Sequence, residues 1–189
     1  MDYQVSLFML GAVARLTIAA IFALAAIHAL REWTVFSGIV EQYRIAPRRL
    51  AMIAARVLPP LELATAAALL LPVSSSAGAV LGSCLMALFT GAIMINIARG
   101  RVSIDCGCGG ADGQELSTGL VLRNVGLMVG LAIAGAAPSR GALDGVTAIV
   151  VICASLALIA LYFAINQLMT NFQTFSAQSF GATSPRSRP

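Results

Sequence analysis

Residues 7–30 read LFMLGAVARLTIAAIFALAAIHAL, a run in which Arg15, Thr17 and His28 are the polar positions. A helix needs about 20 residues to cross a bilayer, so this run is long enough to span one. A cleaved signal peptide would have a basic start and a shorter apolar core, whereas Asp2 precedes this longer run. We therefore interpret it as a first transmembrane helix that is retained.

The apolar bias of this run extends over the whole chain. Of 189 residues, 59% are hydrophobic and 11% are charged, against roughly 45–50% and 25% in soluble domains. Four further apolar runs follow, at residues 51–71, 78–98, 118–137 and 146–168. The sequence thus predicts an all-α integral membrane protein with a bundle of four to five transmembrane helices. We expect residues 1–170 to form this single domain and residues 171–189 to be a polar, flexible tail.

Between the first two runs, residues 31–50 have a different pattern. Trp33, Phe36, Val40 and Tyr43 recur at three- to four-residue spacing with charged residues between them. Such spacing predicts an amphipathic helix, and Trp and Tyr favour the membrane interface. We expect an interfacial helix that Pro47 ends, although an ordinary connecting helix would have the same pattern.

Composition also narrows the chemistry. The positive charge comes from twelve arginines without lysine, and most of them lie in connections instead of forming one basic face, so nucleic-acid binding is not expected. Four cysteines and one histidine provide too few suitably spaced ligands for zinc, haem or an iron–sulfur cluster. Of the function classes considered, thiol redox chemistry is therefore the one that the composition favours.

The thiol loop, Arg99 to Ser117, carries the paired cysteines Cys106 and Cys108. Gly107 between them permits the tight turn that a small disulfide ring needs, and such a bond is readily exchanged. Nearby arginines and the start of the fourth membrane helix, with Ser117 as its predicted N-cap, favour a thiolate, whereas Asp105 opposes it. The alternative is that the two cysteines are a structural clip.

Polar residues within the outer turns of the membrane helices predict a pocket beneath the thiols. If the helices alternate in direction, these residues share the depth of the thiol loop: His28, Arg56, Asn96, Arg123 and Asn124. Ionisable groups in a membrane are functional candidates, although any of them could instead cap a helix or pair with Glu62. Glu62, near mid-bilayer, requires a partner or a proton, and we expect an ion pair with Arg123. Cys84 and Cys153 lie near the opposite face, where we expect them to be small packing residues.

Several motifs together resemble a known family, the methylamine utilisation protein MauE, within the wider DoxX-like group. The resemblance covers nearly all of residues 6–137. It rests on Tyr43-Arg44-Ile45-Ala46-Pro47, Pro59-Pro60-Leu61-Glu62-Leu63, Asp105-Cys106-Gly107-Cys108 and Leu122-Arg123-Asn124. It implies a bacterial inner-membrane protein that acts with MauD, a thioredoxin-like periplasmic partner, in maturing the disulfide-rich small subunit of methylamine dehydrogenase.

The arrangement is also similar to vitamin K epoxide reductase, whose helical bundle carries an active cysteine pair beside a quinone. Here the spacing is C-x-C instead of C-x-x-C, and residues 31–50 contain no cysteine, so a separate thioredoxin-like protein would have to supply the shuttle pair. This resemblance implies a membrane quinone as electron acceptor, with His28 or Arg123 donating a hydrogen bond to its carbonyl.

We therefore predict a thiol–disulfide exchange protein with Cys106 and Cys108 facing the periplasm, an oxidoreductase for which a membrane quinone is one candidate acceptor. One alternative is a CcdA-like carrier of reducing equivalents, in which Cys84 and Cys153 form a second pair. Another is a non-catalytic anchor or assembly scaffold. The positive-inside rule favours the opposite orientation, because most loop arginines lie on the thiol side, but stable disulfides belong to the periplasm.

Overall fold

The computed structural model describes residues 2–107, 115–139, 141 and 144–181. Over these residues the chain forms six α-helices, numbered in order. Their bounds are α1 Asp2–Arg31, α2 Trp33–Gln42, α3 Arg48–Leu70, α4 Ser75–Ala98, α5 Thr118–Ala136 and α6 Gly145–Gly181.

Five of these helices, all except α2, are long and apolar enough to cross a membrane. The predicted all-α membrane bundle is confirmed. Their outward side chains are large and apolar, as hydrocarbon requires, for example Leu24, Val57, Leu122 and Leu156. The protein is therefore a multi-pass membrane protein.

The bundle is organised around α1, which packs against α3, α5 and α6, while α4 lies between α3 and α5. At their common junction the buried core includes Phe22, Leu69, Leu85 and Leu131. Small residues bring the helices close together, as is usual in lipid. A second buried cluster, which includes Ile93 and Leu120, lies under the thiol loop.

Helix α2 is shorter than the sequence predicts. It ends at Gln42, and two residues later Arg44 adopts a left-handed conformation, with φ of 46°. The turn at Arg44 therefore ends the helix, not Pro47. Pro47 instead occupies the N-cap of α3, where its carbonyl oxygen accepts a hydrogen bond from the amide of Ala51 at 3.1 Å.

Helix α3 continues through Pro59 and Pro60. Proline has no amide hydrogen, so two backbone hydrogen bonds are lost in the middle of this membrane helix. Pro59 is nevertheless fully buried. The side chain of Glu62, about one turn later, is buried as well and points into the bundle.

The buried Arg15 joins α1 to the end of α5. Its guanidinium donates to the carbonyl oxygens of Ala134 at 3.0 Å and Pro138 at 2.9 Å, and also to that of Ala137. The last carbonyls of a helix have no donor within the helix. Arg15 supplies those donors, which explains how a charged residue is accommodated inside the first membrane helix.

One helix cap and one helix end differ from the sequence prediction. Ser117 is the N-cap residue of α5, as predicted, but its side chain makes no capping hydrogen bond. Helix α6 continues to Gly181, past Asn171, where we placed the start of a polar tail. Residues 182–189 lie outside the described residues, and the domain boundary at residue 170 stays a prediction.

Candidate functional site

The thiol loop is tied to the end of α2. Arg101 donates hydrogen bonds to Oδ1 of Asn96 at 3.4 Å and to the carbonyl oxygen of Gln42 at 3.0 Å. Arg99 donates to the carbonyl oxygen of Arg44 at 3.2 Å. Carbonyls at a helix C-terminus commonly accept from basic side chains. These bonds hold the loop against α2 although Arg44 and Arg99 are 55 residues apart in sequence.

The two arms of the loop also bind each other. The amide of Leu116 donates to the carbonyl oxygens of Val102 at 3.0 Å and Ile104 at 3.2 Å. Asp105 and Glu115 form an antiparallel bridge. Because Ile104 and Leu116 are buried, the described arms rest on the bundle and give Cys106 a defined position.

Cys106 is 8% exposed and disulfide-bonded. Its carbonyl oxygen accepts a hydrogen bond from the Tyr43 hydroxyl at 3.2 Å. Gly107 has φ of 69°, and a Cβ there would lie 3.0 Å from a methyl carbon of Ile39. Both its backbone conformation and its contact with α2 therefore favour glycine. Cys108 lies outside the described residues.

Burial raises the pKa of Tyr43 to about 12, the charge of Asp105 adds to this effect, and Arg123 opposes it. The phenol is therefore neutral at physiological pH. It can therefore act as a hydrogen-bond donor to the Cys106 carbonyl oxygen at that pH.

Arg123 places a positive charge next to the Cys106 sulfur. Its Nη2 lies 3.9 Å from Sγ. Nη1 donates to Oδ1 of Asn166 at 2.8 Å, and Nη2 donates to Oδ1 of Asn124 at 3.0 Å. The guanidinium also lies over the ring of Tyr162, 5.6 Å from its centre. These contacts hold the charge at the sulfur, where it would stabilise a thiolate.

A cavity of about 210 Å³ adjoins this group. Cys106 and Gly107 form part of its wall, and side chains from all six helices form the rest. Most of its lining is apolar. Its polar members are Tyr43, Glu62, Arg123, Asn124 and Tyr162.

The structure brings together only part of the predicted pocket. Arg123 and Asn124 line the cavity, but His28, Arg56 and Asn96 do not. His28 lies 4.0 Å from the Glu32 carboxylate and is 39% exposed, and Arg56 points outward. Residue count along a helix gives height only, and α1 and α3 are rotated so that His28 and Arg56 face away from the cavity.

Asn96 is buried on α4, but it binds a residue of the thiol loop and does not line the cavity. Its amide nitrogen donates to the carbonyl oxygen of Ala92 at 3.0 Å, and its Oδ1 accepts from Arg101. The residue therefore positions the start of the thiol loop.

The expected ion pair between Glu62 and Arg123 is not formed. The ion pairs that join described residues are His28–Glu32 and Arg48–Glu41. Arg123 is held by two asparagines and Tyr162 instead. Neutral partners thus satisfy the guanidinium, and the Glu62 carboxylate faces the cavity.

Three residues of this site were not predicted: Tyr43 as a partner of the loop, Tyr162 and Asn166. Asn166 is fully buried, and a polar side chain within the last membrane helix is a signal that sequence reasoning could have used. Nothing in the spacing of the two tyrosines indicates which way they face.

Cys84 and Cys153 are free and exposed on the outside of the bundle. The expectation that they are small packing residues is therefore wrong, because both side chains are exposed. Each of their helices has apolar residues on all sides, so the sequence did not reveal which face meets lipid.

The profile of the family described as methylamine utilisation protein MauE matches residues 7–137. The chain belongs to this family. The matched residues include most of α1, all of α2 to α5 and the entire thiol loop, whereas α6, which supplies Tyr162 and Asn166, lies outside them.

Individual relatives agree. The methylamine utilisation protein MauE of Methylorubrum extorquens is 45% identical over 66% of this chain and 69% of its own. The MauE protein of Paracoccus denitrificans is 38% identical over 66% and 68%. That of Paracoccus versutus is 36% identical over 80% of this chain and 82% of its own. No solved structure matches the chain.

Proposed function

We propose that this protein exchanges disulfides in the methylamine utilisation system. Cys106 and Cys108 form the reactive disulfide, which oxidises a periplasmic thioredoxin-like, MauD-like partner. That partner in turn acts in forming the disulfides of the methylamine dehydrogenase small subunit. The protein resides in the bacterial inner membrane with the thiol loop facing the periplasm.

The observation that carries the proposal is a disulfide-bonded cysteine beside a fixed arginine. Cys106 is buried, and Arg123 lies 3.9 Å from its sulfur. A nearby positive charge favours the thiolate as a leaving group. A purely structural clip has no need of a guanidinium held by Asn124 and Asn166.

The exchange proceeds by two displacements. A thiolate of the partner attacks the Cys108 sulfur, the bond to Cys106 breaks, and the electron pair stays on the Cys106 sulfur beside Arg123. The partner's second thiolate then attacks the mixed disulfide, releases Cys108, and closes the partner's own disulfide. The partner loses two electrons, and the cysteine pair gains them.

This assignment predicts different behaviour for the two cysteines. In Cys106→Ser, Cys108 remains free to form a mixed disulfide with the oxidised partner, and the Cys106 thiolate that would displace the partner by reversing the first displacement is gone. We expect this species to accumulate and to be identified by mass spectrometry after acid trapping. In Cys108→Ser it should be nearly absent, because the remaining Cys106 is buried.

Controls come from the other two cysteines. Cys84→Ser and Cys153→Ser should leave both trapping and methylamine-dependent growth unchanged. Loss of growth in these variants would instead favour a transmembrane carrier of reducing equivalents. Normal growth with all four cysteines replaced would favour a non-catalytic scaffold and contradict the proposal.

A further inference from the structure

Glu62 is a buried carboxyl group without a partner in the described part of the chain. It is 7% exposed, and neither a hydrogen bond nor an ion pair joins it to any of those residues. Its side chain lines the cavity next to Cys106. An unpaired ionised carboxylate within a membrane is costly, so this group holds a proton.

The cavity extends from the thiol loop to this carboxyl group. Along α3, Ala51, Ala54, Leu58 and Glu62 line it at helical spacing. At about 1.5 Å per residue, Glu62 lies roughly 16 Å along the helix from Ala51. A redox-active sulfur and a protonated acid therefore border one continuous space.

The size and walls of the cavity restrict its occupant. Its volume of about 210 Å³ is below the ~300–1,000 Å³ of typical ligand pockets, so it admits a single ring system. Leu88 lines it and is also 57% exposed on the outer surface of α4. The cavity thus reaches the lipid-facing surface, and an apolar molecule dissolved in the membrane can enter it.

We propose that this cavity binds the ring of a membrane quinone and that Glu62 passes a proton to it. The inference rests on the proposed exchange function, because each oxidised partner leaves a dithiol at Cys106 and Cys108. The acceptor that regenerates the disulfide must take two electrons and two protons. A quinone does this and matches apolar walls with a few polar groups.

Electrons and protons balance in this step. The two thiols lose two protons and two electrons as the bond between Cys106 and Cys108 re-forms. The quinone takes both electrons, one carbonyl oxygen takes the proton of Glu62, and the second oxygen takes one thiol proton. The other thiol proton returns to Glu62, so the products are a disulfide and a quinol.

Binding can be tested separately from exchange. The full-length protein in nanodiscs of defined lipid is irradiated with a short-chain azido-quinone, and labelled peptides are mapped by mass spectrometry. We expect labels on cavity residues and their loss in Ala54→Trp, which fills the space, but not in Ala67→Trp, which lies on the lipid-facing side of the same helix. Ala92→Phe fills the cavity from α4 and is the second filling variant for the same test if Ala54→Trp does not fold.

Proton transfer is tested by Glu62→Gln, which keeps the shape of the side chain. Quinone reduction by the dithiol should slow about 100-fold while labelling persists, and Glu62→Asp should recover part of the rate. Labelling that survives both filling variants would show that the quinone does not enter the cavity, and labelling that excess lipid abolishes would assign the cavity to an acyl chain; either result would overturn the inference. If mixed disulfides still form at Cys108 in that case, the exchange function stands and only the quinone site is wrong.

Discussion

Arg123 is the residue on which the proposed chemistry of the site depends. Its guanidinium is held at two asparagines and at the ring of Tyr162, so its charge cannot turn away from Cys106. In a water-poor site such a charge acts more strongly than it would in solution. The arginine should therefore control the reactivity of the thiol.

Replacing Arg123 by glutamine should slow alkylation of reduced Cys106 roughly tenfold at neutral pH, because the thiolate loses the positive charge beside it. The rate is measured with iodoacetamide and peptide mass spectrometry. Arg56→Gln, an exposed position on α3, is the matched control and should react like the parent protein. Equal rates in the two variants would show that Arg123 does not stabilise the thiolate.

Tyr43, which lines the same cavity, should make a pH-dependent contribution to the stability of the folded protein. Because burial raises its pKa to about 12 from the ordinary value of 10.0, the folded protein favours the neutral phenol. Its contribution to stability should be complete below about pH 10 and lost between about pH 10 and 12. Ultraviolet titration of the phenolates should show a late phase that disappears in Tyr43→Phe but persists in Tyr3→Phe.

Between elements, the close approach of α3 and α4 depends on glycine. A Cβ on Gly78 would lie 2.7 Å from the backbone nitrogen of Leu69 and 2.9 Å from the carbonyl carbon of Ala68. Backbone atoms cannot give way as the end of a flexible side chain can. The turn between these helices therefore has no room for a larger residue.

We expect Gly78→Ala to lower the free energy of unfolding by about 1–3 kcal/mol, as overpacking commonly does. At Gly91, on the same helix, no atom lies within 4 Å of the position that a Cβ would occupy. Gly91→Ala should therefore change the free energy of unfolding by less than about 0.5 kcal/mol. Reversible unfolding in mixed micelles measures both variants. Equal effects would mean that helix propensity, not packing, determines the outcome.

At the scale of the whole molecule, the arginines and the disulfide favour opposite orientations. Eight arginines at the ends of the membrane helices or in the segments that connect or follow them are predicted to share the thiol side: Arg31, Arg44, Arg48, Arg49, Arg99, Arg101, Arg186 and Arg188. Arg140 is predicted to lie opposite them. Among those that the structure describes, three have protein partners, since Arg99 and Arg101 bind carbonyl oxygens and Arg48 pairs with Glu41 at 3.0 Å. These three have a structural reason to be present on the thiol side, whichever way it faces.

Labelling of intact spheroplasts tests the orientation. After mild reduction, a membrane-impermeant maleimide should modify the cysteine pair in a variant whose Cys84 and Cys153 are replaced by serine. The same variant with Cys106 and Cys108 also replaced by serine gives the background. Modification that appears only after lysis would place the thiol loop in the cytoplasm.

The sequence alone determined the five membrane helices and the position of the cysteine pair between α4 and α5. A bilayer demands long apolar runs, and this requirement is visible locally without knowledge of any partner helix. The depth of each side chain in the membrane was visible as well, because it follows from the number of residues along the helix. This is why the sequence placed Arg123 and Asn124 near the thiol loop, where the structure also has them.

Only the tertiary structure decided which residues at that depth face each other. Helices such as α1 and α4 are apolar all round, so no polar stripe reveals how each is rotated about its axis. Rotation and packing turned His28 and Arg56 away from the cavity, directed Glu62 into it, and gave Arg123 neutral partners from α5 and α6. The depth of a residue is determined by its position along its own helix, whereas the direction of its side chain depends on how the helices pack against one another.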